Sequence, residues 1–321
     1  MSASGIEFAR IIIFEVFGSS DPAAHAYSHP VFVTVMISVI WSMFGARLRD
    51  LRPQAIRHAH DRAMMERASH GAQAMRRMAS GIGRKDGTEG QYLEVIFADA
   101  WTSPLIHKLI FLPRMRERLR LRFAPEAAGP ADGTPSDQWP ATQLTLIDRP
   151  WADYGHQFVP GRGWMGIHPE SSTKPAAAAR RFFGDIGAAS PSAGALLAES
   201  LWFYMSLPHA LARQAFVVSL GITPTVAGHR EVLFCAAHGG NPTPESDQFL
   251  VWLDPETARP THVQYTFRRL MTSYAGCIEY KDWKEIEPGW WWPMRQLIGT
   301  HAGRGATYHT MTIEDVERSR N

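Results

Sequence analysis

The most regular alternation of apolar and polar positions runs from Phe249 to Trp292. Phe249, Val251 and Leu253 interleave with Leu250, Trp252 and Asp254, the period of two that marks a strand with two distinct faces. The run stops at Asp254-Pro255-Glu256-Thr257-Ala258-Arg259-Pro260. There Pro255 presets φ for a turn, and the Asp254 side chain can accept a bond from backbone two residues on. Three more strand-like runs follow, at Thr261–Phe267, Ser273–Ile286 and Gly289–Leu297. The pattern predicts an antiparallel meander carrying large aromatic side chains on at least one face.

Shorter pieces of the same period lie upstream. Tyr92–Phe97, Leu105–Phe111, Leu119–Phe123 and Gln143–Ile147 read as strands, and Tyr154–Phe158 with Gly163–Ile167 reads as a hairpin around Pro160-Gly161-Arg162. In the third of these, Leu119, Leu121 and Phe123 share one face, and Arg120 and Arg122 take the other. The spacing then turns helical, at Pro175–Phe183 and at Ala193–Leu207. In the second helix Leu197, Leu201, Tyr204 and Met205 form an apolar stripe widened by Trp202 and Phe203, and Pro208 is expected to end it. Strands resume at Phe216–Leu220, Arg230–Ala236 and Thr307–Ile313, and Glu314–Asn321 reads as a polar tail. Short strands with turn punctuation argue an antiparallel sheet of the α+β class, not a βαβ fold.

The first 90 residues are patterned differently and read as a helical segment. Val31–Ala46 carries no charge and is followed by Arg47, Arg49 and Arg52. This lies at the short limit of a membrane span, which takes about 17–25 residues. A membrane anchor at 31–46 is expected, against the alternatives of a buried core helix or an unusual signal segment. The arginines that follow it favour a cytoplasmic location for the bulk of the chain. Pro53 opens a second, basic helix over 53–80, with Arg57, Arg62, Arg67, Arg76 and Arg77. Gly81–Gly90, GIGRKDGTEG, is a composition break, so the expected units are 1–90 and 91–321.

Composition narrows the function classes. The chain has 321 residues, 45% hydrophobic and 20% charged, which is ordinary for a folded protein. A formal charge of +2 supplies no global attraction to nucleic acid, and none is expected as a partner. Cys235 and Cys277 sit in apolar, strand-like surroundings and are expected to be buried free thiols. The sequence lacks a Gly-x-Ser-x-Gly elbow, an HExxH zinc motif and a phosphate loop ending in Gly-Lys-Ser/Thr. No cofactor and no metal is therefore expected. The residues that remain for acid–base chemistry are His229 and Glu231, two apart on one strand, and Tyr280. Their ordinary alternative is a polar stripe on a solvent-facing strand.

Several segments together resemble a known family. They are Ser200–Pro208 (SLWFYMSLP), His229–Phe234 (HREVLF), Phe249–Thr257 (FLVWLDPET), Val263–Phe267 (VQYTF), Tyr280–Ile286 (YKDWKEI) and Trp292–Arg295 (WPMR). In this order they resemble the LolA/LolB-like, outer-membrane lipoprotein-sorting type, and more closely bacterial proteins of that fold with no assigned function. The resemblance covers roughly 91–316. It implies a curved antiparallel sheet, a half-barrel, with helices on its concave face and a cavity for acyl chains or other apolar ligands. Leu201, Trp202, Tyr204, Phe249, Trp252 and Phe267 are the side chains expected to line such a cavity, unless they simply fill a core. Carriers of this type work in the periplasm, whereas the arginines after 31–46 favour the cytoplasm, so the side of the membrane stays open. Two functions follow. One is non-enzymatic binding or carriage of a lipid or other apolar molecule by a membrane-associated protein. The other is an enzyme on a lipocalin-like sheet, with His229, Glu231 and Tyr280 at the cavity mouth.

Overall fold

The computed structural model describes residues 61–83, 92–102, 116–125, 129, 138–147, 155–167, 193–212, 216–225, 228–236, 247–267, 271–299 and 307–319. The expected anchor at 31–46, the strand at 105–111, the helix at 175–183 and most of the linker after Gly83 lie outside them. Two helices are described, α1 (Asp61–Ile82) and α2 (Ala193–Leu211). The strands before α2 are β1 (Tyr92–Trp101), β2 (Arg116–Phe123), β3 (Thr142–Leu146), β4 (Gly155–Val159) and β5 (Gly163–Ile167). Those after it are β6 (Phe216–Thr225), β7 (Gly228–Ala236), β8 (Gln248–Leu253), β9 (Pro260–Phe267), β10 (Met271–Glu287), β11 (Trp290–Gly299) and β12 (Thr307–Ser319).

All twelve strands form one open antiparallel sheet in the order β5-β4-β3-β2-β1-β12-β11-β10-β9-β8-β7-β6. Two meanders run inward and outward from its middle. The first leaves β1 for one edge, and the second starts at the other edge and returns, so that β12 closes against β1. Every neighbouring pair except β1–β12 is consecutive in sequence, the local pairing that antiparallel meanders favour. The meander expected from Phe249 onward is β8 to β11. Its first turn forms as the residues dictate: Asp254 Oδ1 accepts from the backbone N–H of Glu256 at 3.1 Å and of Thr257 at 3.0 Å.

One face of the sheet carries the core. Val95, Leu121, Leu233, Val251, Tyr265 and Ile298 are fully buried there and join one cluster with α1 and α2. The opposite face of the central strands is charged, and its arginines meet cross-strand acids, as in Arg118–Glu314 at 2.7 Å and Arg120–Glu94 at 3.0 Å. Both cysteines are buried and free. Burial drives the Cys235 thiol far up, and burial with the Glu279 charge pushes Cys277 up to about 12.

α1 lays Gly71, Ala74, Met75, Met78 and Ile82 against the sheet, the three-and-four spacing of an amphipathic helix, while Arg76 and Arg77 stay exposed. The contact is very close. A Cβ at Gly71 would stand 2.7 Å from the Val217 carbonyl oxygen, and one at Gly83 would stand 1.6 Å from that of Gly289. Gly83 also holds φ +73 in the turn that ends the helix. The Arg259 guanidinium donates to the Gly81 carbonyl at 3.0 Å and lies 3.6 Å over the Trp291 ring. α1 thus passes from edge strand β6 across the β8–β9 turn to the β10–β11 turn.

Two sequence expectations change. Pro208 does not end α2, which continues to Leu211. Proline removes one backbone donor and costs about 3 kcal/mol inside a helix. The residues after it offset this: His209 stacks on Trp292 at 5.0 Å, and Ala210 and Leu211 are buried. Nor is the polar stretch after Ile313 a tail. β12 continues to Ser319 beside Tyr92–Ile96, past a register shift opposite Ile96/Phe97. Glu314, Asp315 and Glu317 are exposed, whereas Arg318 shares the phase of Leu93, lies 4.7 Å over the Trp290 ring and pairs with Glu287 at 2.6 Å.

Candidate functional site

The interior between α2 and the sheet is the candidate site. From Leu201 to Leu211 α2 is buried on every side: Leu201, Trp202, Phe203, Met205, Leu207 and Leu211 have no exposed surface. A helix lying on one sheet face normally keeps a polar outer stripe. Here even Glu199, Ser206 and His209 are buried.

Consecutive residues of α2 reach different parts of the sheet. Trp202 packs edge-on against Trp139 at 5.2 Å and Trp164 of β5 at 6.2 Å, with Phe158 of β4 at 6.0 Å. Phe203 packs on Tyr265 of β9 at 5.0 Å. The Tyr265 hydroxyl donates to the Tyr204 hydroxyl at 3.1 Å. Gln296 of β11 donates from Nε2 to the Met205 sulfur at 3.6 Å, and Tyr204 meets the His309 ring of β12 at 5.9 Å.

Beneath this turn of α2 the apolar face is interrupted by polar groups. Asp99 sits on β1 among Val95, Phe97 and Trp101, the inward positions, and is completely buried. His309 of β12 is 1% exposed, and its Nε2 is in contact with Asp99 Oδ1. The Trp101 indole donates to Asp99 Oδ2 at 3.0 Å and stacks on the His309 ring at 4.2 Å. Asp99 Oδ2 is thereby hydrogen-bonded, and the imidazole lies with its Nε2 edge against Oδ1 and its face on the indole. Strand register extends the row: Asp99 lies opposite Met311, Met311 opposite Gln296, and Gln296 opposite Tyr280. His309 Nδ1, Gln296 Oε1 and the Tyr280 hydroxyl have no hydrogen-bond partner among the described residues. Burial holds the Tyr280 hydroxyl well above the usual tyrosine pKa, with Cys277 adding to the shift, so it stays protonated.

The residues singled out from the sequence are distributed unevenly around this site. Leu201, Trp202 and Tyr204 lie on α2, and Phe249 faces the same interior as the register partner of Tyr265. Trp252 alternates with Phe249 and Val251 and lies on the opposite face, paired with His262 and Val232. Phe267 ends β9, and its side chain is outside the described residues, as is that of His229 on β7. Glu231 accepts an ion pair from Arg77 of α1 at 2.5 Å. β7 and β10 are separated by β8 and β9, so Glu231 and Tyr280 stand about 14 Å apart across the sheet. They do not form one acid–base group. Among the described residues no cluster of three or more His, Cys, Asp or Glu can hold a metal ion. No described helix is long and apolar enough to cross a membrane.

Asp99, His309 and Gln296 were not anticipated. The signal was present in strand parity. Asp99 follows Val95 and Phe97 at spacings of two, and His309 precedes Met311 and Ile313 likewise. A polar residue on the apolar phase of a strand is one the fold must bury.

No family model and no curated protein matches the sequence. Solved structures with a similar arrangement exist. A domain named for outer membrane lipoprotein sorting, from Vibrio parahaemolyticus, is 12% identical with a TM-score of 0.38, over 78% of this chain and 93% of that one. A DUF1329 family protein from Desulfovibrio piger is 10% identical with a TM-score of 0.38, over 78% and 93%. A LolA superfamily protein from Nitrosomonas europaea is 11% identical with a TM-score of 0.37, over 78% and 94%. These likenesses concern the course of the chain alone, and in that course this protein resembles the LolA type.

Proposed function

We propose that the chain binds or carries a lipid or other apolar molecule in the interior between α2 and the sheet, with the sheet bent around α2 as a half-barrel. The observation that carries this reading is the reach of α2. Eight inter-strand steps separate β5 from β9. At about 4.8 Å each, a flat sheet would set them about 38 Å apart. Yet Trp202 touches Trp164 of β5 while the next residue, Phe203, touches Tyr265 of β9. A helix with its side chains is only about 10–12 Å across, so these contacts favour a sheet that curls around it. An enclosed, apolar helix with aromatic walls is the kind of lining that small apolar ligands enter. Leu201, Trp202, Tyr204 and Phe249 are the lining residues in this reading, and Trp252 is not one of them.

The test is saturable binding of a fluorescent polyene fatty acid to the full chain, read by energy transfer from tryptophan. One-site saturation, and lipid released on denaturing the purified protein, is the expected result. Linear, non-saturating uptake with no released lipid would overturn the proposal. Association with the membrane through 31–46 belongs to the same reading, and release of the intact chain by alkaline carbonate would remove that part of it.

A further inference from the structure

The outer face of the sheet carries a second buried patch. Val218 of β6, Val232 and Phe234 of β7 and Cys277 of β10 are at most 5% exposed, yet none of them joins the core cluster of the inner face. Strand parity accounts for the separation. Leu233, Val251 and Tyr265 belong to the inner cluster, so Val218, Phe234 and Leu250, opposite one another in register, stand on the other face. Val232 stands there too, opposite Trp252. Neighbours in the plane of a sheet can hide a small residue. A phenylalanine standing out from the sheet loses all its exposure only when another layer lies across it. In a single chain that layer is the chain's own. Among the described residues neither helix supplies it, because α1 and α2 both join the inner cluster.

We propose that 31–46 is this layer, docked on the outer face of β6, β7 and β8. The inference goes beyond the interior-binding reading, which holds with or without it. It stands against the membrane association of 31–46, because a segment seated on the sheet is not in a bilayer.

The place where the described chain begins favours this occupant. α1 runs from edge strand β6, where Gly71 meets the backbone of Val217 and Ser219, to the β10–β11 turn, where Gly83 meets Gly289. Asp61 lies ten residues before Gly71 on the same helix, so the chain preceding α1 is delivered about 15 Å beyond that contact, at the β6 edge. From there the outer face is the next surface. Residues 47–60 tether 31–46 to α1 and span about 20 Å even when fully helical. β6 and β9 are three inter-strand steps apart, about 14 Å. By contrast, the connection between β1 and β2 leaves and returns six steps from β7, about 29 Å away.

The chemistry of the patch points the same way. Its buried members are apolar, and Leu250 and Trp252 extend it as half-buried neighbours. The polar residues at its border bond one another: the Gln248 backbone N–H donates to the Thr266 hydroxyl at 2.9 Å, and that hydroxyl donates to Asp247 at 3.3 Å. The patch therefore takes an apolar cover. Outside the described residues, 31–46 is the long apolar run without charge, whereas 237–246, the connection beside Phe234 and Leu250, is rich in Gly, Pro and polar residues.

The experiment identifies the cover directly. The full chain carries p-benzoylphenylalanine in place of Leu250, at the half-buried edge of the patch, and is irradiated in the expressing cells before any detergent is added. Mass spectrometry of the digest should find the crosslink within 31–46 of the same chain. A crosslink to any other stretch, to a second copy or to lipid, or none at all, would overturn the proposal. A second measurement uses hydroxyl-radical footprinting of the purified full chain. Phe234 on the outer face and Phe249 on the inner face should both be protected. Ile37→Asp should raise oxidation of Phe234 severalfold and leave Phe249 unchanged. Unchanged protection of Phe234 in that variant would also overturn the proposal, and a variant that exposes both rings has unfolded, so that the crosslink alone decides. Saturable uptake of fatty acid reports on the inner face, so its failure and the failure of this docking are separate results.

Discussion

Gly83 tests whether α1 is an integral wall of the domain. Its φ of +73 lies in the left-handed region, and a Cβ there would stand 1.6 Å from the Gly289 carbonyl oxygen. Two costs therefore combine in Gly83→Ala. A side chain in the left-handed region costs about 1–2 kcal/mol. The overlap is between backbone atoms, so neither side can relieve it by changing rotamer. Displacing one element from the other should cost about 1–3 kcal/mol more, as for overpacked cores. The expected total is about 2–5 kcal/mol. Gly161→Ala provides the control. Gly161 has φ +74, yet nothing lies within 4 Å of its Cβ position, so only the backbone cost applies. Urea unfolding followed by tryptophan fluorescence should place the Gly83 variant about 1–3 kcal/mol below the Gly161 variant. Equal losses in the two variants would show that α1 is not seated on the β10–β11 turn, and the account of α1 as a rim would fail.

Three other outcomes follow from the same packing. Trp202→Ala removes the ring that joins Trp139, Phe158 and Trp164, and should cost about 3–5 kcal/mol in urea unfolding. A loss below about 1 kcal/mol would mean that the ring is not packed as described. Burial lowers the His262 pKa, and Glu279 at 3.7 Å only partly opposes it. The unfolded chain then takes up the proton first. Stability should fall as pH drops below about 6.5 and level off once the folded histidine is also protonated. His262→Asn should flatten that fall, and identical pH slopes for the two proteins would contradict it. Neither Cys235 nor Cys277 should react with a thiol-specific disulfide reagent in the folded protein at neutral pH, whereas both should react after unfolding.

The sheet was legible because its strands are half-exposed. Where one face is buried and the other solvated, the period of two writes itself into the chain, as in Leu119, Arg120, Leu121, Arg122 and Phe123. Helix ends were less legible because local rules compete with packing. Pro208 is a stop signal in isolation. It yields where the next turn places His209 on Trp292 and buries Leu211. The end of β12 was hidden for a different reason. Glu314, Asp315 and Glu317 look like a solvated tail, yet their charges suit an exposed sheet face whose neighbours are arginines.

The candidate site was least legible, and the cause lies in how it is assembled. A motif search looks for residues at fixed spacing, but the row beneath α2 takes one residue from each of several strands. Asp99 and His309 are 210 positions apart in sequence and meet only because β12 closes on β1. Glu231 and His229 are neighbours in sequence, and that proximity drew attention to them, whereas the fold gives Glu231 to Arg77 as a tie for α1. Sequence proximity on a strand therefore counted against a shared site here. The better guide was a mismatch between a residue and its phase: an aspartate, a histidine and a glutamine set at positions whose strand neighbours are Phe97, Met311 and Ile298. Burying three such groups costs free energy that an aliphatic row would not. What such a row can return without any ligand is a fixed register, because Asp99 and His309 meet only when β12 is correctly paired with β1.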